Sequence, residues 1–313
     1  PTAISPSSMA PFSPKLPSKF RLRSISLPPR SHPTTLLVED RLSSLKSLLS
    51  SSPSVHSICS ALSALADLYQ SLDDLLQLPL TQQALSQHHP QKWIDDLLDC
   101  PVRFLDILGT TRDSILSMEE GVRRLQSALR RRKLGDSGIL DAHVSAYWNL
   151  RKNARKSSTK CVLLLKQMDA SFETFLPLDL NAHLSAVVRV LTEASLVTGS
   201  VFYHLLSFLC SPVLRSKPNS KWALLSRLMQ KGALLSDSEE GKLNELEKAD
   251  SAINNLMMSC PAQDADVAQK IQCANSRLED LVAAIEKLEN GLGLLFRHLI
   301  NNRVCFLNTV SLG

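Results

Sequence analysis

Apolar residues at Val55, Ile58, Leu62, Leu65, Tyr69, Leu72 and Leu76 recur at steps of three and four, which lines them up along one face of a helix. The same period predicts a helix over Thr35 to Ser50, ended by the Ser50-Ser51-Ser52-Pro53 linker. Pro79 is read as the stop of the second helix, and a connection holding His88, His89 and Pro90 leads to a segment from Gln91 to about Lys133. Pro101 and Gly109 are expected to break or kink it, and Gly135 and Gly138 to close it. Further helices are predicted over Ile139 to Phe175, Leu180 to Cys210, Lys221 to about Leu235, and from the acidic turn at 236–241 to Ser259.

The last helix is the most regular. Val267, Ile271, Ala274, Leu278, Leu281, Ile285, Leu288, Leu292, Leu295 and Leu299 hold the alternating step without a fault. A two-stranded coiled coil would flank such a seam with charge, yet Val282, Ala284, Gly291 and Phe296 stand there beside Arg277 and Glu289. So wide an apolar face predicts burial against several helices of one chain, with self-association the lesser option. The predicted fold class is all-α: an elongated multi-helix bundle over 34–313, with long coiled-coil-like antiparallel helices.

Composition agrees, since 44% of the 313 residues are hydrophobic, only 5% aromatic, and glycine numbers 10. That disfavours sandwiches, barrels and Gly-looped nucleotide folds. Residues 1–33 are different: Pro, Ser and five bases, Lys15, Lys19, Arg21, Arg23 and Arg30, without one acid. Such a stretch lacks the apolar surface to offset the entropy of ordering, so a disordered arm is expected. The arm carries the whole formal excess of +5, and the remaining 280 residues balance. The seven cysteines are scattered singly, which points to reduced thiols and an intracellular, cytoplasmic setting. The Ser- and Arg-bearing, acid-free leader has the composition of a transit peptide, which keeps import into an organelle as the alternative. The uncharged window Ala194–Leu214 has the length of a membrane span, but its five Ser and Thr residues, with His204, favour a buried bundle helix.

Four runs carry a family likeness: the leader from Ser13 to Pro28, Asp73 to Leu85 (DDLLQLPLTQQAL), Gln126 to Lys133 (QSALRRRK), and Leu288-Glu289-Asn290-Gly291 with Leu295-Phe296-Arg297. Together they resemble the plant-specific family grouped with the BYPASS protein of root and shoot development. The resemblance implies a role in root and shoot development through restraint of a mobile root-derived signal, and it names the chloroplast as the alternative compartment. It implies no catalytic residue. Asn301 and Asn302 stand where the resemblance leads one to expect a more basic terminus.

The sharpest short motif is Arg23-Ser24-Ile25-Ser26-Leu27-Pro28. Arg23 lies three residues before Ser26, as basophilic kinases prefer, and a phosphate there with Pro28 just beyond it would suit the Arg-lined groove of a phosphoserine-binding adaptor of the 14-3-3 type. A second candidate is a basic patch made by Arg123, Arg124, Arg130, Arg131, Arg132 and Lys133 with Arg151, Lys152, Arg155 and Lys156, and Lys160 beyond them. A hairpin at Gly135 and Gly138 would bring both groups to one end of the bundle, facing an acidic protein or an anionic membrane. Arg130 to Lys133 also has the look of a nuclear-import patch, and nucleic-acid reading is disfavoured because no aromatics interleave the bases. His56 and Cys59 share a helical face, and His88 adjoins His89, without a third ligand nearby in sequence. No nucleotide, zinc-protease or nucleophile-elbow motif occurs, so no catalytic, metal or cofactor-binding residue is assigned and no cofactor is expected. The expected function is a non-enzymatic scaffold or adaptor of plant development with a phosphorylatable arm, the alternative being a peripheral membrane protein on anionic lipid.

Overall fold

The computed structural model describes residues 32–50, 54–88, 91–131, 137–172, 180–211, 243–258 and 264–311. They form α1 (Pro33–Leu49), α2 (Val55–Leu76), α3 (Pro79–Ser86), α4 (Lys92–Arg131), α5 (Ser137–Phe172), α6 (Ala182–Leu209), α7 (Glu245–Met257) and α8 (Asp264–Ser311), with no strand among the described residues. Residues 1–31 of the arm and the helix expected over Lys221 to Leu235 lie outside them, while Pro33, read as the last residue of the arm, opens α1.

Starts are set by local chemistry. Ser54 and Ser57 cap each other's backbone N–H groups at the head of α2, and Asn244 and Glu247 do the same for α7. Asn181 Oδ1 accepts from Leu184 N at 2.8 Å to begin α6. Two expectations from the sequence are corrected by the fold. Pro79 ends no more than the turn after α2: as the first residue of α3 its fixed φ and missing N–H suit a helix start. Pro101 and Gly109 do not interrupt α4, which runs through both for 40 residues. Pro101 itself is buried, and the flanking Leu97, Leu98 and Phe104 hold both halves of the helix in the core. That packing offsets the lost backbone hydrogen bond.

The stripes read from sequence are the core. All seven apolar positions of the α2 stripe are buried, as is every position of the α8 stripe from Ala274 to Leu299. At 48 residues α8 is about 72 Å long. It packs on α2, α4, α7 and α3, as its wide apolar face requires. Contact pairs give the directions. Arg112 meets Glu289 and Arg130 meets Glu279, so α4 and α8 are antiparallel. Leu62 meets Gly291, Asp73 meets Asn302 and Leu76 meets Thr309, so α2 and α8 run parallel. At the first of these pairs a Cβ on Gly291 would lie 2.9 Å from Leu62 Cδ1, and the missing side chain lets the two helices close together.

Helix α6 is the one described helix long and apolar enough to cross a membrane, and it packs against α1, α2 and α5. Its Phe202 stacks on Phe104 of α4 with ring centroids 5.8 Å apart, and its Thr198 hydroxyl lies 3.0 Å from Tyr69 Oη of α2. These contacts match the buried-helix reading of the uncharged window.

Candidate functional site

The basic patch divides into three fates. On α4 the guanidiniums are paired. Arg123 reaches Glu119 at 2.7 Å and Glu286 of α8 at 2.6 Å, Arg130 reaches Glu279 at 3.0 Å, and Arg124 pairs with Glu120. Exposed pairs of this kind add about 0–1 kcal/mol each, but they cancel the field the bases would project. Arg131 is exposed and donates to the Ser127 carbonyl at 3.1 Å. Arg132 and Lys133 lie outside the described residues, as do Arg23, Ser24, Ser26 and Pro28.

Arg151 corrects the sequence reading outright: it is not on the surface but fully buried. It sits four residues after Tyr147 and three before Ala154, on the inward stripe of α5. Its Nε lies 3.1 Å from Asp250 Oδ2 on α7, and Nη2 donates to the same oxygen at 2.9 Å. The rest of the guanidinium reaches the carbonyls of Leu209 and Ser211, each at 3.3 Å, which the end of α6 leaves unpaired. Tyr147 Oη donates to Asp250 Oδ1 at 2.6 Å, and Asn244 Nδ2 donates to Ser211 Oγ at 2.6 Å. Burial pushes the Asp250 carboxyl above its ordinary range, and the guanidinium and phenol pull it back. The cluster clamps α5, α6 and α7 at one point, with its donors and acceptors turned to one another.

A third fate awaits the bases further along α5. Lys152, Arg155, Lys156 and Lys160 are exposed and line an open groove with Asn149, Asn153 and Thr159. None has an acidic partner within salt-bridge distance among the described residues, in contrast to Arg123, Arg124 and Arg130 of α4. Among the described residues these four bases form a cluster of positive charge without acidic partners.

A second buried acid lies between α2 and α8. Asp73 accepts from Asn302 Nδ2 at 2.8 Å, and burial pushes its carboxyl up to about 6 despite that hydrogen bond. Asn302, conspicuous in sequence as a departure from a basic terminus, is therefore a buried partner of Asp73.

The remaining candidates stay apart. His56 is exposed and Cys59 half-buried on one rim, with the thiol pushed up by burial. No group of three His, Cys, Asp or Glu residues among those described comes together around one metal position. Cys100 and Cys161 are buried and Cys273 exposed; burial drives the Cys100 thiol up to about 12, where it is a packing group rather than a nucleophile. Trp93 and Trp148 belong to the core, and Trp222 lies outside the described residues.

One surface does not emerge from the sequence reading. Phe296, Ile300, Val304 and Leu307 recur at steps of four, four and three on the outer side of α8, with exposures of 40%, 38%, 50% and 37%. The signal is an apolar stripe offset from the buried one, of which only Phe296 stands out in the sequence as widening the apolar face.

No curated protein and no solved structure matches the chain. A family model described as Protein BPS1 matches residues 61–309, from the first turns of α2 almost to the end of α8, which agrees with the resemblance and takes in three of its four runs, the leader from Ser13 to Pro28 lying outside the match. The match covers well over half of the 313 residues and takes in every helix from α3 to α7: the chain belongs to the BPS1 family, a family linked to plant development.

Proposed function

We propose that this protein is a non-enzymatic helical scaffold or adaptor in plant development, working through the surfaces that its bundle presents. The supporting observation is the α8 stripe. Phe296, Ile300, Val304 and Leu307 form an apolar ridge on a helix whose other side is locked to α2 and α4. A rigid ridge with anchors at i, i+4, i+8 and i+11 suits the apolar face of a partner helix. The buried polar groups point the same way, because Arg151, Asp250, Tyr147, Asp73 and Asn302 are spent on joining helices. In this reading the arm adds control: phosphate on Ser26 beside Arg23 recruits a phosphoserine-binding adaptor.

Affinity capture from seedling extract with the full chain tests this. The Phe296→Glu/Ile300→Glu variant, which keeps its melting temperature because both positions are exposed, is expected to lose a defined set of proteins that wild type retains. Ser26→Ala is expected to lose a different, phosphatase-sensitive set. Identical catches from wild type and the stripe variant would contradict the reading. So would turnover of a metabolite by the purified protein that a single substitution abolishes.

A further inference from the structure

We infer that the outer face of α5, together with the exposed side of α6, is a docking surface for an anionic lipid bilayer. The inference is separate from the adaptor reading, which rests on α8. It begins with bases that no acid among the described residues pairs. Arg123, Arg124 and Arg130 of α4 are paired by Glu119, Glu120, Glu279 and Glu286, and Arg151 is taken up by Asp250. Lys152, Lys156 and Lys160, spaced by four, point outward in a single row one turn apart, with Arg155 beside them.

Apolar groups at the end of this row separate a membrane from other anions. Leu163 continues the row after Lys152, Lys156 and Lys160, and it is 57% exposed, with Leu164 next to it at 48%. Helix α6 supplies a third apolar group. Cys210 Sγ lies 3.7 Å from Thr159 Oγ1, and a Cβ on Gly199 would lie 3.5 Å from Asp169, so α5 and α6 are antiparallel in a fixed register. That register sets Tyr203, 48% exposed, about one turn from Leu163. A row of bases that runs into protruding Leu and Tyr side chains is the arrangement of an interfacial binder: ammonium groups meet headgroup phosphates while the apolar tips enter the acyl boundary. A soluble polyanion would use the bases and leave Leu163 and Tyr203 in water. The face stays on the membrane without spanning it, since α6 keeps its other sides against α1 and α2.

The test is flotation of the full chain with phosphatidylcholine vesicles, with and without phosphatidylserine. The five arm bases are changed to Gln in every sample, so that the arm does not contribute. Lys152→Gln/Lys156→Gln/Lys160→Gln is expected to lower the partition coefficient on phosphatidylserine vesicles by about a hundredfold, from roughly 1 kcal/mol per base at an anionic surface. Leu163→Ser/Tyr203→Ser is expected to weaken binding and to make the remainder more sensitive to salt. All these positions are exposed, and unchanged circular dichroism and melting certify the fold. The inference is overturned if the triple variant partitions like its parent, or if neutral vesicles bind as well as anionic ones. It is overturned too if the parent ignores vesicles and instead binds poly-glutamate through the same lysines, which would assign the face to an acidic protein.

Discussion

Asp250→Ala is expected to lower the unfolding free energy by about 3–5 kcal/mol, because it strands the Arg151 guanidinium without a counter-ion in the interior. Both partners of this pair are fully buried, and the same guanidinium closes the carbonyl end of α6. Losing the carboxylate also leaves the Tyr147 hydroxyl without its acceptor at 2.6 Å. Arg151→Ala should fail to a similar degree, for it leaves the buried Asp250 carboxyl without its counter-ion and the Leu209 and Ser211 carbonyls unmet. The double replacement Arg151→Met/Asp250→Leu removes both charges at similar volume, and much of the stability should return. Urea denaturation monitored by circular dichroism measures all three. A double variant as unstable as the single ones would show that the hydrogen bonds of this pair to Tyr147 and to the Leu209 and Ser211 carbonyls, and not merely its charge balance, hold α5 to α7.

Asp73→Asn is expected to stabilise the protein at neutral pH. Burial pushes this carboxyl up to about 6, against the pull of Asn302, and neighbouring Asp74 adds to the rise. The folded state therefore holds the proton more tightly than the unfolded chain, whose Asp titrates near 4. Stability from this group is accordingly fully present below about pH 4 and is lost as pH rises through about 6. The charge costs on the order of 3 kcal/mol at pH 7.5. Asparagine keeps an oxygen for Asn302 and carries no charge. The variant should gain most of that amount at pH 7.5 and close to nothing at pH 4, measured as the difference from wild type at each pH. A variant less stable than wild type at pH 7.5 would mean that the ionised carboxylate is favourable where it sits.

Much of the architecture was legible because a helix buried along one side must repeat its apolar residues at three and four. Leu62, Leu65 and Tyr69, or Leu288, Leu292 and Leu295, are enough to give the element and its inward face. Proline was harder to read. Pro79 starts a helix and Pro101 lies inside one, and neither neighbourhood shows this locally, since tertiary packing decides whether a lost hydrogen bond is tolerated. The patch was half legible for a related reason. Arg123 and Arg130 are quenched by Glu286 and Glu279, acids about 150 residues away whose alignment with α4 depends on a long antiparallel register. Arg151 could have been suspected, since Tyr147, Arg151, Ala154, Ser158, Cys161 and Leu165 keep the helical step of a buried stripe. The surrounding run of bases hid it. The exposed ridge on α8 escaped for the opposite reason: apolar residues at helical spacing read as core.

Hydrogen–deuterium exchange on the isolated subunit, at a concentration where sedimentation shows a monomer, tests the central claim most directly. That claim is that the leucine stripes are sealed within one protomer. The predicted result is that amides in Leu62–Leu72, Ile107–Val122, Val197–Leu206 and Leu281–Leu299 exchange slowest and as one group. Rapid exchange through Leu281–Leu299 in the monomer, with protection appearing only on self-association, would contradict it.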